Sequence, residues 1–149
     1  MYKHILIATD GSELAQKGLE HGLSLAKSLG GKVTVLTVTE PFPVYGMAGD
    51  FGWVSAPAAI ESYQASSKEF ATKILDGAKA AAEKMGVPAE MLHVDDKMPA
   101  DAILATAAET GCSLIVMASH GRRGLNRILL GSQTVEVVTH SKVPVLVIK

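Results

Sequence analysis

The stretch Leu114–Thr134, LIVMASHGRRGLNRILLGSQT, decides the fold. Leu114 to Met117 is apolar and reads as a strand, with small residues at its end. A basic, glycine-containing loop follows, and Gly131-Ser132 opens what reads as a helix. Strand, glycine loop and helix start in that order form a phosphate-binding layout. Backbone N–H groups at a glycine turn and at a helix N-terminus lack internal partners, and the helix dipole there favours an anion.

The side chains fit the same chemistry. Ala118, Gly121, Gly131 and Ser132 are small, so a phosphate can approach the backbone closely. The Ser132 hydroxyl can donate to a phosphate oxygen. Arg122, Arg123 and Arg127 add positive charge, although each also reads as part of a solvated basic loop. His120 could donate to a phosphate or simply cap the loop.

Outward from this stretch, strands and helices alternate. His4 to Ala8 is an apolar run closed by Thr9-Asp10-Gly11-Ser12, as expected of a strand buried on both faces. Ser12 is a fitting N-cap for a helix from Glu13 to Leu29, with Leu14, Leu19, Leu23 and Leu25 as its stripe and Gly30-Gly31 as its stop. Lys32 to Thr39 is β-branched and reads as a second strand. Glu40 to about Ala58 reads as a loop, holding three of the six prolines and four of the seven aromatics (Phe42, Tyr45, Phe51, Trp53). A loop this long in a compact domain is often functional. Ala59 to Lys84 shows helical spacing through Ile60, Tyr63, Phe70, Ile74 and Ala81. Glu90 to Val94 is a third strand and Pro99 to Thr110 a helix with Ile103, Leu104 and Ala107 inward. Leu114 to Ala118, Ser132 to His140 and Val143 to Ile148 complete the series as strand, helix and strand. Such alternation predicts an α/β fold, a doubly wound parallel sheet with helices on both faces, over residues 1–149 as a single domain.

Composition narrows the function classes. The 149 residues carry a formal net charge of -1, and Lys and Arg concentrate only in the 120s, which argues against a general nucleic-acid binder. No apolar run approaches the roughly 20 residues of a membrane span. MYKHILIATDGS has no small-residue cleavage site and does not read as a signal peptide. The one cysteine, Cys112, fits a reducing cytoplasm and reads as a small buried hydrophobe. There is no G-x-x-x-x-G-K-[ST], no G-x-G-x-x-G after the first strand, no G-x-S-x-G and no H-E-x-x-H. No histidine or cysteine stands at metal-ligand spacing.

In a doubly wound sheet, ligands bind beyond the carboxyl ends of the strands, where strand order reverses. If the first and fourth strands flank that point, Asp10 and the 118–132 loop face one crevice. There the Asp10 carboxylate could accept hydrogen bonds from ribose hydroxyls, hold a divalent ion through water, or serve as ordinary Asp-Gly-Ser turn chemistry. Position alone leaves both roles open.

At these residues the chain resembles the universal stress protein family in its short single-domain form. The resemblance covers essentially the whole length, including Ala8-Thr9-Asp10-Gly11-Ser12, Pro99-Ala100-Asp101-Ala102-Ile103 and Val143 to Ile148. Nucleotide-binding members carry G-x2-G-x9-G-[ST]. Here Ala118-Ser119-His120-Gly121 is followed by nine residues and then Gly131-Ser132, so only the first glycine departs. If that position needs φ > 0, alanine costs on the order of 1 kcal/mol. If it needs only closeness, the methyl is tolerable. The family usually has Asp where Ser113 stands, away from the site.

The resemblance implies a Rossmann-like sheet, related to the adenine nucleotide alpha hydrolases, in the order 3-2-1-4-5. It implies ATP or AMP as ligand, with Mg2+ able to accompany ATP. Asp10 should contact the ribose, the Val38 backbone the adenine edge, and Ala8, Thr9 and Met117 the base and sugar. Ala118, Ser119, Gly121, Gly131, Ser132, Gln133 and Thr134 should surround the phosphates. It further implies a homodimer through Val143–Ile148, an apolar edge strand that would otherwise stand unpaired. The expected role is regulatory, in stress response, with neither nucleic acid nor membrane as partner. Rival readings are a slow ATPase or nucleotidyl-transferring enzyme, for which no paired base is evident, and a protein-interaction module built on the aromatic loop at 42–53.

Overall fold

A computed structural model describes residues 1–43, 52–122 and 130–149, apart from the side chains of residues 52–56. Tyr45, Phe51, Arg123, Arg127 and the Trp53 side chain lie outside the described residues. The elements are β1 (His4–Ala8), α1 (Glu13–Leu29), β2 (Lys32–Val38), α2 (Gly52–Met85), β3 (Ala89–Val94), α3 (Pro99–Thr110), β4 (Leu114–Ala118), α4 (Ser132–His140) and β5 (Val145–Ile148). The five strands form one sheet in the order β3-β2-β1-β4-β5, and every pairing is parallel. All carboxyl ends therefore share one edge, and the order reverses between β1 and β4.

The sheet is covered on both faces. Ile5, Ile7, Val33, Val35, Leu114 and Val116 point to α1 and α2, meeting Leu19, Leu23, Leu75 and Ala78. Leu6, Leu36, Ile115 and Met117 point the other way, to Ala100, Ile103 and Ala107 of α3 and Val137 of α4. Alternation within each strand splits the core in two because successive side chains leave opposite faces.

The ends of α1 follow the expected chemistry. The Ser12 side chain accepts the Ala15 N–H at 3.2 Å, and Gly30 closes the helix in the left-handed region at φ 59°. The buried stripe differs from the leucine pattern. Ala15, Gly18, Leu19, Gly22, Leu23 and Ala26 are buried, while Leu14 and Leu25 flank them half-buried. Ala15, Gly18, Gly22 and Ala26 let the helix approach the sheet closely, with Leu19 and Leu23 filling the space between them. At Gly22 a Cβ would lie 2.7 Å from Ile7 Cγ1, so this turn of α1 rests directly on β1.

Besides one-residue shifts, with β2 ending at Val38 rather than Thr39 and β3 beginning at Ala89 rather than Glu90, three points correct the sequence reading. First, α2 begins at Gly52 rather than Ala59, with Pro57 inside it, so the stretch between β2 and α2 is shorter than the proposed 40–58 loop. Proline removes one helical hydrogen bond, which a 34-residue helix tolerates near its start. Second, the buried line of α2 is Ala71, Leu75, Ala78 and Ala82, one position on from the expected Phe70 and Ile74. Third, β5 begins at Val145 rather than Val143. The Ser141 hydroxyl donates to Val143 O at 2.7 Å and accepts the Val143 N–H at 3.2 Å, which commits Val143 to a local turn.

Candidate functional site

The β1–α1 turn builds one wall of a crevice at the reversal point. Gly11 is in the left-handed region at φ 77°, which bends the chain sharply after Asp10. Thr9 is buried: its N–H donates to Leu36 O at 2.9 Å, its carbonyl accepts the Thr37 hydroxyl at 2.8 Å, and its Oγ1 accepts the Gly11 N–H at 3.3 Å. These bonds fix Asp10, whose Oδ1 accepts the Ser12 N–H at 3.0 Å. That is an Asx turn, so the turn role of Asp10 is real.

The opposite wall follows β4. Asp10 Oδ2 accepts the Arg122 N–H at 2.8 Å, across the crevice. At Gly121 a Cβ would stand 2.7 Å from that same oxygen. The expected juxtaposition of Asp10 with the glycine loop is therefore present, and it is a contact between main chain and carboxylate. Ser119 N–H donates to Ile148 O at 2.7 Å, and Ser119 O accepts the Gly131 N–H at 2.8 Å. This pair pins the start of α4 beside the end of β4. A Cβ on Gly131 would come within 3.3 Å of His120 Cα, a tight contact that glycine avoids. Ser119 Oγ and His120 Nδ1 are 3.2 Å apart.

At α4 the N-cap is Gly131, which offers no side-chain cap. Val135 is the first residue whose N–H finds an intrahelical acceptor, Gly131 O at 3.0 Å. The N–H groups of Ser132, Gln133 and Thr134 precede it at the positive end of the helix. Ser132 is exposed. The side chains of the next two residues are committed elsewhere. Gln133 Oε1 accepts the Ala100 N–H at 2.9 Å, supplying α3 with the cap that Met98 lacks. The Thr134 hydroxyl donates to Ala118 O at 3.1 Å. Thr134 therefore offers a ligand its main-chain N–H, and Gln133 its main-chain N–H and its side-chain Nε2.

Ala118 resolves one open alternative. It lies in β4, in register with Ile148, and the non-glycine residues at positive φ among those described are Tyr2 and Asp96. Alanine there costs nothing in backbone strain, and only its methyl differs from glycine. Ala8 closes β1 at the same edge, Met117 is the penultimate residue of β4, and Val38 ends β2 opposite Val94. Ser113 donates from N and Oγ to His4 O at 2.8 and 3.2 Å, at the far end of the sheet.

Residues of α2 complete the surroundings and were legible only as a helical stripe. Ile74 lies against Gly11, where a Cβ would approach its Cγ1 to 2.8 Å. Arg122 Cζ sits 4.1 Å from the centre of the Phe70 ring. The Tyr63 hydroxyl donates to Glu40 O at 2.9 Å, and its ring meets Phe42 edge-on at 5.4 Å. Tyr63, Phe70 and Ile74 are the half-buried line beside the core line of α2. Among the described residues, two clefts of about 250 and 230 Å3 open at the opposite, amino edge. His4, Thr34 and Glu90 line the larger one, and His4 Nε2 and Thr34 Oγ1 are 2.8 Å apart. Burial, followed by the nearby Lys32 charge, holds the His4 pKa below its usual 6.5. Burial likewise pushes the Cys112 thiol up. Neither cleft has the loop and helix-start chemistry of the carboxyl edge, where parallel sheets bind ligands.

The sequence profile of the universal stress protein family matches residues 1–149. The chain belongs to that family. Universal stress protein YxiE of Bacillus subtilis is 35% identical over the whole of both chains. The solved structure of MJ0577, a universal stress protein of Methanocaldococcus jannaschii, superimposes with a TM-score of 0.82 at 30% identity, covering 100% of this chain and 96% of that one. A universal stress protein solved in complex with cAMP superimposes with a TM-score of 0.70 at 25% identity, covering 99% and 97%. No helix among the described residues is long and apolar enough to cross a membrane.

Proposed function

We propose that this universal stress protein binds an adenine nucleotide, ATP or AMP, in the crevice between Asp10 and the 118–134 segment, and acts as a regulatory, stress-response homodimer in the cytoplasm. One observation carries the reading. A carboxylate able to accept ribose hydroxyls, a glycine loop and the uncapped start of α4 converge at the reversal point of the sheet. The cAMP complex of a relative supports the adenine-nucleotide class.

In this reading Asp10 takes the ribose, the Val38 main chain the adenine edge, and Ala8, Thr9 and Met117 the walls around base and sugar. The N–H groups of Ser132, Gln133 and Thr134, with Ser119, His120, Gly121 and the Ser132 hydroxyl, take the phosphates. Mg2+ would accompany ATP as its counter-ion. β5 is the sheet's outer strand, with Leu146 37% exposed, which suits pairing with its copy across a two-fold axis.

Calorimetry with ATP, ADP and AMP at matched Mg2+, alongside chromatography of nucleotide released from the purified protein, tests the binding. Heat of binding and a raised melting temperature are expected. No heat and no thermal shift with any of the three would refute the assignment. Sedimentation of the same sample tests the dimer, and a monomer at all concentrations would remove that part alone.

A further inference from the structure

We infer that Phe70 of α2 is a positioning residue: it holds the Arg122 guanidinium at the rim of the crevice to meet the outer phosphates of a nucleoside di- or triphosphate. The inference rests on the nucleotide-binding reading above and adds a determinant of phosphate number. Arg122 is tied at two points. Its N–H donates to Asp10 Oδ2 at 2.8 Å, and its Cζ lies 4.1 Å from the Phe70 ring centre. A guanidinium resting on an aromatic face is held there by the ring quadrupole, while its N–H donors project along its edge and remain available to an anion.

The ring is well placed to do this. Phe70 adjoins Ala71, which is fully buried, and lies one turn before Ile74, which rests against Gly11. The α2 backbone is thereby fixed to the sheet at the level of the crevice. Arg122 and Gly121 are exposed, whereas Ser119, nearer the sheet, is 4% exposed. The inner end of the crevice therefore offers backbone N–H groups suited to one phosphate, and the outer end offers a cation. The Asp10 carboxylate also faces the loop and repels added negative charge. A fixed arginine at the rim offsets that repulsion, and the offset grows with the number of phosphates.

The test is calorimetry of the full chain with AMP and with Mg-ATP. Phe70→Leu keeps an apolar side chain without the ring. It should weaken ATP about two- to fivefold, the range of a cation–π contact at an exposed site, and leave AMP unchanged. Arg122→Gln should weaken ATP at least as much, the double variant should lose no more than Arg122→Gln, and Phe70→Trp should restore ATP binding. Equal weakening of AMP and ATP by Phe70→Leu would make Phe70 a mere wall and overturn the inference. So would unchanged or tighter ATP binding, or additive losses in the double variant. A wild-type chain that binds neither nucleotide would show as absent heat before any variant is compared, and would overturn the nucleotide reading itself.

Discussion

Gly121→Ala probes the junction on which the site rests. Gly121 is not at positive φ, so the added methyl creates no backbone strain. Its cost comes from Asp10 Oδ2, 2.7 Å from the new Cβ, where real contacts need at least 3.0 to 3.4 Å. The oxygen must retreat by roughly 0.3–0.7 Å. Movement along its bond to the Arg122 N–H, now 2.8 Å, stretches that bond to roughly 3.1–3.5 Å, at or past the useful range. Loss of one such bond removes about 0.5–1.5 kcal/mol of stability. For a chain of this length that lowers Tm by roughly 1–6 °C. Urea unfolding followed by circular dichroism gives the difference if the slope with urea stays constant. The decisive comparison repeats the substitution in Asp10→Ala, where the clash has no partner. There Gly121→Ala should cost almost nothing, leaving a coupling of about 1 kcal/mol. Equal costs in the two backgrounds would refute the proposed geometry.

Two further predictions concern the scaffold. Gly77, with nothing within 4 Å of a Cβ, and Gly22, whose Cβ would lie 2.7 Å from Ile7 Cγ1, are both helical. Ala at Gly77 should stabilise by about 0.8–1 kcal/mol through helix propensity, whereas Ala at Gly22 should carry an opposing packing cost of about 1–3 kcal/mol. Equal denaturation midpoints for the two variants would contradict the close contact of α1 with β1. The depressed His4 pKa means that the folded chain binds fewer protons than the unfolded chain as pH falls below 6.5. The His4 contribution is thus complete above pH 6.5 and lost below it, so Tm should fall more steeply between pH 7 and 5 in the wild type than in His4→Gln. Parallel curves would remove His4 as the cause.

Much of the architecture was readable because it depends on local pattern. Apolar runs such as Ile5–Ala8 and Leu114–Ala118, the Ser12 cap and the Gly30 stop act over a few residues, and α3 and α4 were located to the residue. The reading failed where packing overrode pattern. The 40–58 stretch reads as a loop, yet α2 begins at Gly52 and carries Pro57 within it. Of the α1 stripe, Leu19 and Leu23 are buried while Leu14 and Leu25 lie beside the contact line, and in α2 Phe70 and Ile74 stand one position off it. Within the site, the sequence carried no sign that Gln133 Oε1 and the Thr134 hydroxyl tie α4 to α3 and β4.

Local residue pattern sets the alternation of strand and helix, and hence a parallel sheet with a common carboxyl edge. It also places Gly121, Gly131 and Ser132 at the spacing that carries the family resemblance. Only the tertiary structure decided what these residues face. Asp10 and Arg122 are 112 positions apart in the chain, and their hydrogen bond exists because β1 pairs with β4 at the reversal point. Phe70 reaches the same rim only because α2 crosses back over the sheet. Such contacts depend on strand order and helix placement, which the packing of the whole chain sets and no local pattern encodes.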